Sequence, residues 1–258
     1  MRALVTGGAI RLGREIALYL AHQGYDVAVH YAGSESAAHE TVAEIKVMGQ
    51  NSVALHADLL SDAGSQPLIA RVGEALGGPL TLLVNNASIF EHDTIDTATR
   101  YSWDRHMESN LRAPFVLTQE FAKQAPKAQA DGAGEPVAQA LVVNMLDQRV
   151  RKLTPDFMSY TLAKMALWAL TQTAARALAP DIRVNAIGPG PTVQGVRQST
   201  QHFTQQRAAT VLERGSNPSD ITAALGYFIA APAVTGQLLC VDGGQHLGWQ
   251  TPDVLGLD

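Results

Sequence analysis

The sequence predicts an α/β protein built on a doubly wound parallel sheet with helices on both faces. Short apolar runs alternate with helix-like segments along the chain, which is the pattern of successive βαβ units. A glycine-rich turn joins the first apolar run to the first helix-like segment. The run at residues 80–84 is apolar throughout, as expected of a strand covered on both faces. Together these observations indicate a Rossmann-like sheet with right-handed crossovers.

The elements follow in a regular order. Strands are predicted at residues 2–6, 27–31, 52–56, 80–84, 141–144, 182–186 and 238–241. Helices are predicted at residues 12–23, 34–48, 61–76, 99–123, 156–179 and 217–230. Gly24 and Gly49 stop the first two helices, and Asn217 or Ser219 caps the last. Residues 125–136 are rich in Ala, Gly and Pro and are predicted to form a surface loop. No repeat or linker divides the chain, so we expect a single domain over residues 1–258.

The composition narrows the classes of function. Charged residues make up 17% of the 258 residues, against about 25% in an ordinary globular domain. A chain with so few charged residues can bury a large core. Hydrophobic residues make up 46% of it, and some of them are expected at subunit interfaces. A net charge of −5 argues against a nucleic-acid partner, which would require a basic face. No apolar run approaches the roughly 18 residues that span a bilayer, so no membrane partner is expected. A small-molecule substrate is left open.

Cysteine usage and the N-terminus indicate the compartment. The single cysteine, Cys240, excludes an internal disulfide framework and is expected to be a buried strand residue in a reducing environment. Glycines and arginines interrupt the N-terminal apolar stretch, which predicts a first strand and turn rather than a signal peptide. We therefore expect a cytoplasmic protein.

The turn at residues 6–13, TGGAIRLG, is placed where the N–H groups of a helix start bind a dinucleotide pyrophosphate. Arg11 stands in the first turn of that helix, where the helix dipole disfavours a cation. An anion bound at this end would explain the arginine. The alternative is a side chain that simply points into solvent.

The end of the second predicted strand indicates the type of dinucleotide. Residues 30–34 contain no Asp or Glu to grip a ribose 2′-hydroxyl. Glu35 is adjacent, but it is equally suited to begin the following helix. Ser34 as a donor and Arg11 as a cation favour a 2′-phosphate, and therefore NADPH over NADH. Asp58, after the third strand, is suited either to accept a hydrogen bond from the adenine amine or to cap a helix.

Two polar pairs follow later in the chain. Asn85 and Asn86 end the fourth strand at the carboxyl edge of the sheet, where open α/β sheets bind ligands, although they also suit a local turn. Tyr160 and Lys164 lie four residues apart and share one helix face. The pKa of tyrosine is about 10, and a lysine one turn away is expected to lower it and to reach ribose hydroxyls. Such a pair also arises by chance, and its weight comes from following strands and a glycine turn in order.

With these residues in place, the chain resembles the short-chain dehydrogenase/reductase superfamily over essentially its full length. The shared marks are the glycine turn, Asn85-Asn86-Ala87, Asn110, Tyr160-x-x-x-Lys164, Pro189-Gly190 and Val241-Asp242-Gly243-Gly244. In combination these motifs are specific for the superfamily.

Two departures narrow the resemblance. Most members carry glycine at position 11 and serine thirteen residues before the tyrosine, where this chain has Arg11 and Asp147. Both substitutions resemble the pteridine reductase branch, as do residues 85–90 and the pair His30-Tyr31. An aspartate agrees with reduction of a ring C=N bond, because a carboxylic acid coupled to tyrosine can supply a proton to nitrogen. The alternative for Asp147 is an ordinary loop acid.

The resemblance implies a set of site residues and an NADPH cofactor, with no metal. The expected catalytic residues are Asp147, Tyr160, Lys164 and Asn110, the last holding a water relay beside the lysine. The expected cofactor-binding residues are Thr6, Gly7, Arg11, Leu12, Gly13, His30, Tyr31, Ser34, Asp58, Leu59, Asn86, Ala87, Ser88, Lys164, Pro189 and Gly190. The expected substrate-binding residues are Ser88, Phe90, Asp147 and Tyr160, with Phe90 stacking on a pterin.

The same resemblance predicts a substrate lid at about residues 190–216. It also predicts a homotetramer, with a dimer as the alternative, formed through the helices at 99–123 and 156–179. The tail at 245–258 is suited either to reach a neighbouring active site or to pack at an interface. The function that follows is NADPH-dependent reduction of a dihydropterin. Two alternatives remain open, which are a carbonyl or imine reductase with a non-pterin substrate and a non-catalytic NADP-binding protein.

Overall fold

The computed structural model of the chain describes residues 1–195 and 198–251. Its main element is a seven-stranded sheet in the order β3-β2-β1-β4-β7-β8-β9, in which every neighbouring pair is parallel. The strands of this sheet are β1 (Arg2–Val5), β2 (Asp26–Tyr31), β3 (Ser52–His56), β4 (Leu82–Asn85), β7 (Ala140–Met145), β8 (Ile182–Pro189) and β9 (Leu238–Val241). The doubly wound parallel sheet predicted from the sequence is confirmed.

Helices cover both faces of the sheet. They are α1 (Arg11–His22), α2 (Glu35–Val47), α3 (Asp62–Ser65), α4 (Leu68–Leu76), α5 (Arg100–Met107), α6 (Ala113–Gln124), α7 (Met158–Ala177), α8 (Thr200–Ala208) and α9 (Pro218–Ala230). None of the helices in the described part of the chain combines the length and hydropathy that a membrane crossing needs.

The strands alternate their side chains between two cores. In β1, Val5 packs into the cluster that includes Ile16 of α1 and Phe228 of α9. Leu4 faces the opposite side and packs into the cluster that includes Leu68 of α4 and Phe121 of α6. All six side chains are fully or almost fully buried. The central strands are therefore apolar on both faces, as the continuous apolar runs predicted.

Three elements differ from the prediction. The single helix expected at 61–76 is wrong, because Pro67 lacks a backbone N–H donor and separates α3 from α4. The helix expected at 99–123 is divided into α5 and α6 by a π-helical turn at Glu108–Arg112. The loop expected at 125–136 contains a short hairpin of β5 (Gln129–Ala130) and β6 (Pro136–Val137).

Cross-links behind the carboxyl edge of the sheet fix α7 against β4 and β7. Asn85 and Asn144 are register partners, and the Asn85 amide donates to Asn144 Oδ1 at 2.8 Å. The Asn144 amide in turn donates to Thr171 Oγ1 of α7 at 2.9 Å. Because these groups are buried, each bond satisfies polar atoms that water cannot reach.

A buried polar cluster holds the start of α7. Asp93 accepts hydrogen bonds from the Ser159 N–H at 3.1 Å, from the Ser159 hydroxyl and from the Ser102 hydroxyl at 3.2 Å. His106 Nδ1 lies 2.7 Å from Ser159 Oγ, and its Nε2 accepts from the Glu91 N–H at 3.1 Å. The Nε2 bond places the ring proton on Nδ1. Burial alone would raise the pKa of Asp93, but the hydrogen bonds from Ser159 and Ser102 outweigh it and lower the pKa.

We predict that Asp93→Ala lowers the free energy of unfolding by about 2–4 kcal/mol, because it leaves buried donors of Ser159 unpaired. Urea denaturation at pH 7 measures this loss. The matched control is Asp156→Asn, which breaks an exposed pair with His92 and is expected to change stability by less than about 0.5 kcal/mol. Equal losses for the two variants would contradict the role given to the cluster.

The stabilisation that Asp93 contributes to folding depends on pH in a definite direction. The folded pKa of Asp93 lies below its ordinary value, so the stabilisation is fully present above the unfolded pKa of about 4 and is lost as the pH falls through the folded pKa. The stability difference between the protein and Asp93→Ala is therefore expected to be constant from pH 7 to about 5. This stability difference should become smaller only below about pH 5.

Candidate functional site

A cavity of about 540 Å³ opens at the carboxyl edge of the sheet. Predicted site residues that line it are Gly7, Arg11, Leu12, Gly13, His30, Asn86, Ala87, Ser88, Phe90, Asp147, Tyr160, Pro189 and Gly190. Predicted site residues that do not line it are Thr6, Tyr31, Ser34, Asp58, Leu59, Asn110 and Lys164. The structure thus brings together the glycine turn, the end of β4, Asp147 and Tyr160 around one space.

The glycine turn is fixed by bonds to the end of β4. Thr6 Oγ1 accepts from the N–H groups of Asn86 and Ala87, both at 2.9 Å. The Asn86 amide donates back to the carbonyls of Thr6 at 2.9 Å and Gly7 at 3.2 Å. A Cβ at Gly13 would lie 2.0 Å from the Gly7 carbonyl oxygen, so only glycine fits there. The turn is therefore a rigid cradle at the start of α1, with the close backbone approach that a pyrophosphate requires.

His30 supports this turn from β2. Its Nδ1 accepts from the Gly7 N–H and its Nε2 donates to the Ala57 carbonyl, both at 3.0 Å. Burial lowers the pKa of His30 to about 4, so the ring is neutral near pH 7. The His30 side chain consequently links the end of β2 to the glycine turn and to the end of β3.

Arg11 combines an unusual backbone with a contact to the lid. Its φ is 53°, in the left-handed region that favours glycine, which accounts for the glycine that most relatives carry there. Its guanidinium donates to the carbonyls of Val193 and Gln194, both at 3.2 Å. The arginine therefore bridges the glycine turn and the first part of the lid.

The other residues expected near the adenosine end of the cofactor do not line the cavity, and those that make contacts make them with neighbouring protein groups. Ser34 precedes α2 and its side chain makes no capping hydrogen bond. Tyr31 donates to Glu35 at 3.4 Å, and Asp58 accepts from the Leu60 N–H at 3.0 Å. Leu59 is buried in the core.

Asp147 and Tyr160 form a hydrogen-bonded pair in the cavity wall. The Tyr160 hydroxyl donates to Asp147 Oδ2 at 3.0 Å, and Asp147 Oδ1 accepts from the Arg149 N–H at 2.8 Å. Burial raises the pKa of Asp147, and the N–H and charge of Arg149 offset this only in part. Burial and the neighbouring Asp147 charge raise the pKa of Tyr160 well above 10. Both groups are thus held toward their protonated forms.

Lys164 lies behind this pair. Its Nζ donates to the Met145 carbonyl at 2.8 Å and lies 5.7 Å from the centroid of the Tyr160 ring. Burial lowers the pKa of Lys164 to about 8, and the Asp147 charge opposes that shift. The expectation that Lys164 lowers the pKa of Tyr160 is wrong here, because burial and Asp147 move the tyrosine in the opposite direction.

Asn110 lies in the π-helical turn and is fully buried. Its amide donates to the Ile89 carbonyl at 2.9 Å and its Oδ1 accepts from the Ile89 N–H at 3.1 Å. Asn110 therefore fixes the segment that carries Ser88 and Phe90. The water relay implied by the family resemblance stays a prediction.

An aromatic wall stands beside Tyr160. Phe90 is 50% exposed, and its ring stacks on Phe157 with centroids 4.1 Å apart and planes 7° apart. The Phe90 and Tyr160 rings also pack in a T-shaped arrangement, with centroids 4.7 Å apart and planes 73° apart. Arg149 lies close to both phenylalanines. Sequence reasoning missed Phe157 and Arg149, although an aromatic residue three positions before Tyr160 and a cation two positions after Asp147 were available signals.

Arg207 of α8 anchors the lid. Its Nη1 donates to the carbonyls of Pro191 at 2.9 Å and Ser216 at 2.6 Å. The two ends of the lid are thereby held together at its base. Residues 196 and 197 of the predicted lid, and residues 252–258 of the predicted tail, lie outside the described residues.

Other reactive chemistry is limited in this part of the chain. Within residues 1–195 and 198–251, no cluster of His, Cys, Asp and Glu is arranged to hold a metal ion. Burial raises the pKa of the Cys240 thiol to about 11, which keeps it uncharged near pH 7. The chemistry of these groups suits anion binding at the glycine turn and proton transfer at Asp147 and Tyr160.

Comparison with known proteins agrees with this geometry. A family model described as enoyl-(acyl carrier protein) reductase matches residues 8–246. The chain is 32% identical to the 3-oxoacyl-[acyl-carrier-protein] reductase FabG of Staphylococcus aureus over 250 residues, covering 95% of this chain and 98% of the relative. It is 30% identical to a short-chain dehydrogenase/reductase of Armillaria gallica, covering 94% of each.

Among solved structures, FolM alternative dihydrofolate reductase 1 from Brucella canis, complexed with NADP, is similar to this chain. The TM-score is 0.91 with 41% sequence identity, and the match covers 98% of this chain and 96% of that one. The resemblance to the pteridine reductase branch is thus supported by a full-length structural match. The chain belongs to the short-chain dehydrogenase/reductase family and is an NAD(P)-dependent oxidoreductase.

Proposed function

We propose that the protein is an NADPH-dependent reductase of a small-molecule substrate, a dihydropterin or dihydrofolate-like ring whose C=N bond it reduces. The observation that carries this proposal is the buried pair of Asp147 and Tyr160 beside the half-exposed Phe90 ring. A flat heteroaromatic substrate suits a stacking surface next to a proton donor. The 41% identity to a structure named as a dihydrofolate reductase supports the same substrate class.

The residues that would hold NADPH fit that group. The cradle that a Cβ at Gly13 would fill, with Gly7, Asn86 and Ala87 around it, suits the pyrophosphate. At the end of β2, Ala32 and Gly33 place no acid against a 2′-phosphate. Because the Arg11 guanidinium already contacts the lid, we assign the 2′-phosphate chiefly to Ser34. Arg11 then contributes positive charge near the turn and couples it to the lid.

When bound, NADPH supplies the hydride that reduces the ring carbon of the C=N bond. In the structure Tyr160 donates to Asp147, and burial favours the protonated form of the Asp147 carboxyl, in which the bond is reversed and the carboxyl donates to the Tyr160 oxygen. Tyr160 gives its own proton to the ring nitrogen as Asp147 replaces it. The charge of Lys164 stabilises the carboxylate that remains, since the same attraction opposes the lowering of the Lys164 pKa.

The relative FabG favours one second candidate, reduction of a carbonyl in a 3-oxoacyl thioester. The two candidates differ in the atom that receives the proton. A carbonyl oxygen is served by a neutral hydroxyl donor, which most members of the family supply with serine. Asp147 in place of that serine favours the C=N substrate.

We predict that Tyr160→Phe and Asp147→Asn each lower kcat for dihydrobiopterin by a factor of about 10²–10⁴, the usual contribution of a general acid. The dissociation constant for NADPH, measured by quenching of protein fluorescence, should change by less than about threefold because the cradle is untouched. The matched control is Tyr227→Phe, at an exposed tyrosine on α9, which should keep full activity. Retention of activity by Tyr160→Phe would refute the assignment.

A homotetramer formed through the α5–α6 and α7 faces is part of the proposal. Phe115 of α6 and Leu162 of α7 are 44% and 42% exposed. An apolar hollow of about 230 Å³ between α6 and α7, which Leu170 and Ala174 help to line, adds to this surface. Exposed apolar surface of this kind is typical of subunit interfaces.

We predict a mass of four chains in multi-angle light scattering at micromolar concentration. Phe115→Glu places a charge on the apolar face and should give smaller species. The control Tyr227→Phe should keep the tetramer. A monomeric wild-type protein would contradict this part of the proposal.

A further inference from the structure

Arg149 stands in the cavity wall without a carboxylate partner. It belongs to the 3₁₀ turn Gln148–Val150 that follows Asp147, and it is half-buried. Arginines that pair with carboxylates elsewhere are Arg14, Arg100, Arg105, Arg112 and Arg214. Across the two described ranges, Arg149 forms no ion pair of this kind. A partly buried guanidinium without an acid is costly unless other groups accept from its N–H donors and offset its charge.

Neutral groups hold the Arg149 side chain in place. Its Nη1 donates to Thr154 Oγ1 at 2.5 Å, and its guanidinium carbon lies 4.8 Å from the centroid of the Phe157 ring. The same carbon lies 5.8 Å from the centroid of Phe90. These contacts fix the direction of the guanidinium but do not compensate its charge. Its five N–H donors exceed what Thr154 can use, so donors remain for a ligand.

The surroundings favour an anion at this position. The acid nearest in sequence, Asp147, accepts from the Arg149 backbone N–H and from the Tyr160 hydroxyl rather than from the Arg149 guanidinium, and burial raises its pKa. Asp156 is engaged with His92, 3.2 Å away. Phe90, which contacts Arg149, is also the surface assigned to the pterin ring. A substituent on a ring stacked there would run along the wall that carries Arg149.

We propose that Arg149 is a specificity-determining residue that binds a carboxylate on the tail of an anionic pteridine substrate. This inference rests on the proposed function. Guanidinium and carboxylate groups match in geometry and can form two parallel hydrogen bonds. The enzyme therefore distinguishes a pterin with an acidic tail from one with an uncharged tail.

Steady-state kinetics with two substrates that share one ring system test the inference. Dihydrofolate carries an acidic tail, whereas the tail of dihydrobiopterin is uncharged. Arg149→Gln is expected to raise KM for dihydrofolate about tenfold and to leave KM for dihydrobiopterin within about twofold. Arg149→Lys keeps the charge and should restore part of the loss. The matched control is Arg151→Gln, because the Arg151 guanidinium lies against Trp168 and does not line the cavity.

The outcomes separate the possible roles. An equal change in KM for both substrates would overturn the inference, because it would mean that Arg149 acts on the shared ring system or through folding. Raising the salt concentration should increase KM for dihydrofolate more in the wild type than in Arg149→Gln, and an identical salt response would also overturn it. No turnover of either substrate by the wild type refutes the proposed function itself. Turnover of dihydrobiopterin with no selective effect of Arg149→Gln refutes this inference alone.

Discussion

The hydrogen bond between Tyr160 and Asp147 is the interaction on which the proposed chemistry depends. It joins two groups whose pKa values are raised by burial, which favours a proton at the cavity wall. The bond requires a fixed position of α7, which carries Tyr160, relative to the end of β7, which Asp147 follows. Asp93 at the start of α7, and Asn144 bonded to Thr171 further along, supply that constraint. Much of the polar core therefore serves to position one hydrogen bond.

The glycine turn is prepared in a similar way. Side chains of the protein itself, those of Thr6, His30 and Asn86, satisfy backbone groups of the turn and of the end of β4. A turn fixed in this manner has little conformational entropy to lose when it binds an anion. Arg11 then connects the turn to the lid at the expense of an unfavourable backbone conformation. One side chain therefore contacts both the turn and the first part of the predicted lid.

The sequence predicted the sheet and much of the cavity wall, because apolar strands and the glycine turn are local patterns. It did not predict the π-helical turn around Asn110, where tertiary packing overrides a helical pattern. The break at Pro67 was missed although a proline without a backbone N–H is a local signal. The direction of the Tyr160 pKa was also missed, since spacing to Lys164 says nothing about burial. Asp93 and Arg149 gave weak signals in the sequence. Their importance comes from contacts with residues distant along the chain.

The substrate of the wild-type protein tests the central claim most directly. The rate of NADPH oxidation would be measured with dihydrobiopterin and with a 3-oxoacyl thioester, and NADH would be compared in parallel. A kcat/KM for the pterin well above that for the thioester, with NADPH preferred over NADH, is the result expected from Asp147, Phe90 and Ser34. Turnover of the thioester alone would keep the fold and the tyrosine chemistry but would contradict a proton pair adapted to ring nitrogen.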